Sequence, residues 1–307
     1  MGDDYMTGWL IVNEFLHSNK FNDIHEWFLE AARKQGVVMK IKTNAQLLID
    51  LTNISYKAGK HTENINKKED GNADFVLFWD KDIRLAYYLE LLGYRVFNCA
   101  RAIKICDDKS LTHLTLMNEN IRMPGTIIAP KTFDNIGYTN VSFLDEISSR
   151  LGFPMVVKEC FGSFGQQVYL VNNPEELKER IKQIGSKPLL FQEYIASSFG
   201  KDLRLQVVGS DVIASMLRYS DTGDFRANLS IGGKMKNYIA TKEQCELALR
   251  CCEIIGLDFA GVDILFGKNE QPILCEVNSN AHFKNIYDCT GVNVADAIIT
   301  YIKKKIC

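Results

Sequence analysis

The sequence predicts a small doubly wound α/β domain over about the first 105 residues, followed by a larger α+β region in a 307-residue chain. Two observations predict the first part. Strand-like and helix-like runs alternate, and the strand-like runs are apolar throughout, as in parallel βαβ units. A third observation predicts the second part. From Leu203 to Leu229 the runs LRLQVVG, DVIASMLRY and DFRANLS follow one another as close-spaced strands of antiparallel character.

The elements justify this in order. Gly8–Val12 is a short apolar strand, and Asn22–Gln35 carries Ile24, Trp27, Phe28, Leu29, Ala31 and Ala32 at helical spacing until Gly36 stops it. Val37–Ile41 reads as a strand and Lys57–Asp74 as an exposed polar loop or ragged hairpin. Strand Asp74–Trp79, helix Ile83–Leu92 and strand Tyr94–Asn98 complete the domain. No GxGxxG turn occurs, so dinucleotide binding is not expected there. Asp107–Asn120 reads as a helix and Pro124–Pro130 as an extended edge. Strand Pro154–Lys158 ends in a lysine, the glycine loop Phe161–Gly165 follows, and Gln167–Val171 returns. Asn173-Pro174-Glu-Glu opens a helix, with proline near its first position and acids in its first turn. Pro188–Tyr194 is a strand, Thr241–Gly256 a helix, Gly261–Phe266 and Pro272–Asn278 a hairpin, and Val292–Lys304 a closing helix.

Composition narrows the function. The chain is 46% hydrophobic and 24% charged with a net charge of −2, so it is not a general polyanion binder. No nucleic-acid partner is expected. The N-terminus lacks a signal-peptide pattern, and no apolar run approaches the roughly 18 residues of a membrane span. Nine cysteines, an odd number without CxxC pairs, read as small buried hydrophobes in a reducing compartment. A cytoplasmic protein is the expectation.

Three constellations carry chemistry. In the last hairpin, a turn centred on Asn269–Glu270 sets Asp263 opposite Glu276, with Asn278 on the same face and Val262, Ile264, Ile273, Cys275 and Val277 on the other. Facing carboxylates repel unless a cation lies between them, and oxygen donors suit a hard ion such as Mg²⁺. A solvated acidic hairpin is the competing reading. Second, Lys158 leads into a glycine loop whose backbone N–H groups can cradle phosphate, against the reading of an ordinary turn. It is not a Walker loop, since GxxxxGK[ST] is absent. Third, Asp202 and Arg204, Arg218, and Arg226 with Asn228 fall on neighbouring strand-like runs, forming an anion-binding face or a solvated one. The five histidines are scattered, and no HExxH or GxSxG occurs.

In order and spacing, VVKECFGSFGQQV, QEYI, KDLRLQVVG, GDFRANLSIGG, LDFAGVDILF and CEVNSN resemble the ATP-grasp superfamily, and within it the RimK-type glutamate ligases. The resemblance spans about Asp107 to Lys304 and implies a two-lobed ATP-grasp fold behind the N-terminal domain. It implies boundaries of 1–106, 107–192 and 193–307. It further implies that Lys109 and Lys158 hold ATP phosphates, that Gly162, Ser163 and Gly165 form a lid, and that Glu193, Tyr194 and Ile195 meet the adenine. Asp202 then binds near the ribose, and Arg226 and Asn228 contact the phosphate end. Asp263, Glu276 and Asn278 hold Mg²⁺, with Mn²⁺ as a substitute. Arg204 and Arg218 orient the reacting carboxylate or the transferred phosphoryl group.

The implied reaction is ATP-dependent joining of a carboxylate to an amine through an acyl phosphate. The substrates are small molecules, or a peptide or carrier-protein acceptor. The stretch Ser279–Asn285 departs from the small-residue and proline turn of ribosomal-protein glutamate ligases, which leaves the acceptor open. A catalytically silent nucleotide-binding module is the rival reading, and nothing in the chain marks an oligomer interface. Replacing Asp263 or Glu276 by alanine is expected to abolish acyl-phosphate formation with the fold intact.

Overall fold

The computed structural model describes residues 5–16, 19–52, 73–163 and 165–307. The polar stretch expected at Lys57–Asp74 therefore lies largely outside the described residues, as does Phe164 of the glycine loop.

The N-terminal sheet is built from β1 (Thr7–Val12), β2 (Val38–Thr43), β3 (Phe75–Phe78) and β4 (Val96–Phe97). Their order is β2-β1-β3-β4, with every pairing parallel. Apolar residues fill both faces of β1 because both faces are covered. Leu10 and Val12 pack with Phe75 and Leu77 against α1 (Asn19–Lys34). Trp9 and Ile11 pack with Val76 and Phe78 against α2 (Ile83–Leu91) and α3 (Ala100–Asp107).

Helix α3 was not expected from the sequence. The helix expected at Asp107–Asn120 begins instead as α4 (Lys109–Leu116), because Asp108 interrupts the chain and caps it, accepting from Ser110 N–H at 2.8 Å.

The central sheet contains β5 (Thr126–Ile128), β6 (Met155–Glu159), β7 (Val168–Val171) and β8 (Leu189–Glu193), in the order β5-β8-β6-β7. One face, with Met155, Val157, Leu189 and Phe191, is buried under α5 (Phe143–Leu151) and α6 (Pro174–Ile184). By alternation, Val156, Lys158 and Gln192 point the other way and line a cleft.

The third sheet is antiparallel, with β9 (Lys201–Val208), β10 (Asp211–Tyr219), β11 (Lys234–Asn237), β12 (Phe259–Phe266) and β13 (Pro272–Asn278) in the order β11-β10-β9-β12-β13. Leu203, Leu205, Val262, Ile264, Leu274 and Val277 pack on α7 (Lys242–Ile255), with Ile105 of α3 and Leu116 of α4 in the same core. The opposite face turns Asp202, Arg204, Arg218, Asp263 and Glu276 to the cleft.

The run DFRANLS is not a strand. Asp224 accepts from its neighbour Arg226 N–H at 2.9 Å, and this local bond replaces a ladder. Arg226 and Asn228 thus sit on a loop ending in a 3-10 turn, and the edge strand is Lys234–Asn237.

Helices α8 (Lys284–Thr290) and α9 (Val294–Ile306) close the chain, and α9 packs beside α1 over the N-terminal sheet. Asn98 joins the two regions. Fully buried, it donates to the carbonyls of Phe259 at 2.9 Å and Ser279 at 3.0 Å, and accepts from the N–H groups of Asp258 at 2.7 Å and Phe259 at 3.2 Å.

Candidate active site

The hairpin register places Asp263 opposite Glu276 and Gly261 opposite Asn278. The lower half of the hairpin departs from the expected faces. A bulge after Asp263 pairs Ile264 with Leu274, so Leu274 enters the core and Cys275 turns into the cleft. Ile273 is only half-buried, so neither it nor Cys275 belongs to a wholly apolar face. The cysteines as a group also differ from expectation: Cys106, Cys160, Cys251 and Cys252 are buried, whereas Cys307 is exposed and the others half-buried.

Asp263 stands opposite Arg204 on β9 as well, and its carboxylate accepts from Arg204 Nε and, at 2.7 Å, from Nη2. Arg218, opposite Asp202, donates to it at 2.6 and 2.7 Å and reaches Asp263 at 3.1 Å. Two arginines and two carboxylates thus form one neutral, buried network. Burial pushes Asp263 up, but the facing Arg204 and Arg218 outweigh it and hold its carboxyl below the ordinary range. Burial disfavours the Arg218 charge, and Asp202 and Asp263 reverse this to raise its pKa. Burial raises Asp202 against the pull of Arg218.

Glu276 is more open, with its side chain 27% exposed, and Lys109 Nζ lies 3.7 Å from it. The N-cap at Asp108 starts α4 at Lys109, whose backbone N–H also donates to the Cys160 carbonyl at 3.1 Å. Lys109 Nζ donates to the Gly162 carbonyl at 3.3 Å, which ties this lysine to the glycine loop. Lys158 Nζ lies 3.9 Å from Cys275 Sγ. Burial pushes the Cys275 thiol up to about 11, so it is a neutral neighbour to the lysine.

The loop needs its glycines. Gly162 has φ +141° and Gly165 φ +74°; a Cβ would stand 2.4 Å from Gln167 Oε1 at the first and 2.6 Å from Asn228 Oδ1 at the second. Arg226 Nη1 donates to the Gly165 carbonyl at 2.9 Å while its other nitrogens hold Asp224. Ser163 N–H donates to Gln167 Oε1 at 3.2 Å.

At the end of β8, the exposed Glu193 turns its carboxylate to Gly125 N–H at 3.1 Å, and the rings of Tyr194 and Phe225 meet edge to face. Ile195 follows on the same connection, and every residue expected at the site lines this one cleft.

Several cleft residues were not foreseen. Lys81, just past β3, pairs with Asp107 at 2.8 Å, and Gln167, Gln192 and Phe225 also contribute, while Asn280 and His282 line the cleft from the Ser279–Asn285 stretch already expected to bear on the acceptor. Gln192 stood in the quoted QEYI run, beside the residues the resemblance singled out. Lys81 has no local signal, because only the chain's topology brings it to the cleft.

The donor set fits a divalent cation. Asp263 and Glu276 supply carboxylate oxygens and Asn278 an amide oxygen, all hard donors. Among the described residues no group of three His, Cys, Asp or Glu side chains is arranged to hold a metal ion without other ligands. Two acids and an amide leave coordination positions for phosphate oxygens, the usual way Mg²⁺ is held.

Comparison with known proteins decides the family: the model of the RimK-like ATP-grasp domain matches residues 106–302. The chain belongs to the RimK-like ATP-grasp family. It is 35% identical to an uncharacterized protein of Mycoplasma pneumoniae, over 74% of this chain and 79% of that one. It is 34% identical to N-acetylaspartylglutamate synthase A of Homo sapiens over 72% of this chain, but spans only 56% of that protein. The crystal structure of a RimK domain ATP-grasp protein from Sphaerobacter thermophilus matches with a TM-score of 0.68, covering 96% of this chain and 99% of the other at 17% identity. At that identity the likeness shows the ATP-grasp fold. No described helix of this RimK-like protein is long and apolar enough to cross a membrane.

Proposed function

We propose that the cleft joins an amino acid, glutamate in the first instance, to a carboxylate substrate, with ATP converting that carboxylate to an acyl phosphate. The coarse statement follows from the family: the chain is an ATP-dependent carboxylate–amine ligase. The observation that carries the finer reading is the pairing of Asp263 with Glu276 beside Lys109 and the glycine loop. Glutamate comes from the name of the human relative.

A substrate carboxylate oxygen attacks the γ-phosphorus of ATP, and ADP leaves. The amine then attacks the acyl carbon, forming the amide, and inorganic phosphate departs with the former carboxylate oxygen. Lys109 and Lys158 neutralise phosphate charge from two sides of the cleft. Gly162, Ser163 and Gly165 cover the phosphates and exclude water, which would hydrolyse the acyl phosphate. Arg226 latches this lid through Gly165, and Asn228 packs under it. Glu193, Tyr194 and Ile195 border the base, with Asp202 on the ribose side. Arg204 faces the reacting groups. Arg218, buried beneath, positions Asp202 and Asp263.

Asp263, Glu276 and Asn278 would hold Mg²⁺, or Mn²⁺ in its place. The ion supplies charge neutralisation on the transferring phosphoryl oxygens. The N-terminal unit is read as a doubly wound domain, with boundaries at 106 and 192. The free thiols along the whole chain fit a reducing, cytoplasmic setting. A peptide or carrier-protein acceptor is tested alongside small carboxylates.

The test is ADP release with glutamate and a panel of small carboxylates and peptides. Glutamate-dependent release with an amide product supports the reading. Release driven by other amines but never by glutamate contradicts the amine assignment.

A further inference from the structure

The N-terminal unit presents a cation to the cleft. Its sheet runs β2-β1-β3-β4 with every pairing parallel, so the chain leaves β1 and β3 in opposite directions. A crevice opens beyond the carboxyl ends of two such strands, and in parallel sheets ligands bind there. Asn13 follows β1 at this point, and Asp80 and Lys81 follow β3. Among the described residues, Lys81 is the one basic side chain of the N-terminal unit that lines the cleft.

The backbone that carries Lys81 is held on both sides. Asn13 Nδ2 donates to Asp80 Oδ1 and Oδ2 at 3.2 Å each, and Ile83 N–H donates to the Lys81 carbonyl at 2.9 Å. From across the cleft, Asn280 Nδ2 donates to the Asp80 carbonyl at 2.6 Å. Asn280 closely follows Asn278, so this bond sets Lys81 against the end of the hairpin that carries Asp263 and Glu276. Burial pushes the Cys106 thiol up to about 12, and Lys81 and Glu276 then act on it in opposite senses. The lysine and the open acid are thus both within electrostatic reach of one sulfur.

Asp107 leaves Lys81 free to bind a second anion. The two pair at 2.8 Å with side chains 42% and 20% exposed, and a pair this open is screened by water. The ammonium has three protons, and Asp107 itself does not line the cleft. The arginines there are already engaged, Arg204 and Arg218 by Asp263 and Asp202, and Arg226 by Asp224. Amide formation consumes one carboxylate and one amine. An amino acid that supplies the amine keeps its own carboxylate, which needs a cation when it leaves water.

We propose that Lys81 binds a non-reacting carboxylate of an organic substrate, carried either by the amino acid or by the carboxylate compound being activated. This rests on the ligase reading above and makes Lys81 a specificity residue contributed by the N-terminal unit. Asn13 and Asn280 are positioning residues that fix it.

The experiment is steady-state ADP release by the intact protein with glutamate and the carboxylate panel, varying ATP, amine and carboxylate in turn. Lys81→Met is expected to raise KM for one organic substrate about tenfold, with kcat and KM for ATP within about twofold of wild type. The amine and carboxylate arms identify which substrate it is. An analogue of that substrate with its non-reacting carboxylate replaced by a carboxamide is expected to show no dependence on Lys81. Lys81→Arg keeps the charge and is expected to retain the low KM. Asp107→Asn leaves the lysine its charge and is expected not to raise that KM, whereas a purely structural ion pair makes the two single replacements equivalent. Unchanged KM for both organic substrates in Lys81→Met overturns the inference, as does an equal rise for ATP or an equal rise in Asp107→Asn. A wild-type protein that releases no ADP with any pair overturns the ligase reading itself, a result separate from unchanged KM in the variants.

Discussion

Asp263 and Glu276 face each other directly across the β12–β13 ladder, yet only Asp263 is locked into a buried ionic network. Its side chain is 6% exposed against 27% for Glu276. Removing one partner of a buried pair leaves uncompensated charge, so Asp263→Ala is expected to cost about 3–5 kcal/mol of stability. Glu276→Ala is expected to keep the unfolding midpoint within a few degrees and to lower ADP release by at least about 10²-fold. The fold is therefore not expected to survive both replacements equally, which revises the expectation from the sequence. Urea unfolding and ADP release on the same two variants check it.

The lid glycines give a kinetic prediction. Gly165 has φ +74° and Asn228 stands where a Cβ would go. Gly165→Ala costs about 1 kcal/mol of backbone strain and displaces Asn228. Because the loop is exposed to the cleft, thermal stability should change little while kcat falls about tenfold. Steady-state ADP release with a parallel melting curve separates the two effects.

His113 gives a pH prediction. Its pKa is lowered from 6.5 to about 4 by burial and then by Lys158. Between those values the unfolded chain takes up a proton that the native state refuses, so stability falls as pH drops through 6.5 and levels off near 4. The loss at pH 4.5 from this residue is about 2–3 kcal/mol. His113→Gln is expected to show a shallower stability loss between pH 7 and 4.5, measured by urea unfolding. NMR of the imidazole nitrogens should show no titration above pH ~5.

Asn98 gives a stability prediction remote from the chemistry. It satisfies four backbone groups at the junction of the N-terminal sheet with β12 and Ser279. Asn98→Ala is expected to destabilise the protein by about 3 kcal/mol or more, since each unsatisfied buried group costs about 1–3 kcal/mol. Chemical denaturation reads the loss directly.

Much of the site was legible because it follows from strand arithmetic. A constant index sum placed Asp263 opposite Glu276, and period two placed Asp202 and Arg204 together. Cys275 escaped, since a bulge has no signal in an apolar run. DFRANLS looked like a strand, but the Asp224 side chain competes for its backbone. Helix α3 was missed because its N-cap, Cys99, makes no capping side-chain bond. Lys81 required knowing where β3 ends relative to a sheet formed much later in the chain. The resemblance reached the remaining site residues.

The most direct test of the central claim is hydroxylamine trapping, with ATP, Mg²⁺ and candidate carboxylates. A carboxylate activated as acyl phosphate is expected to yield a hydroxamate in step with ADP, and folded Glu276→Ala protein is expected to yield neither. ATP turnover that releases phosphate without hydroxamate for any carboxylate, or full hydroxamate formation by Glu276→Ala, would contradict the account.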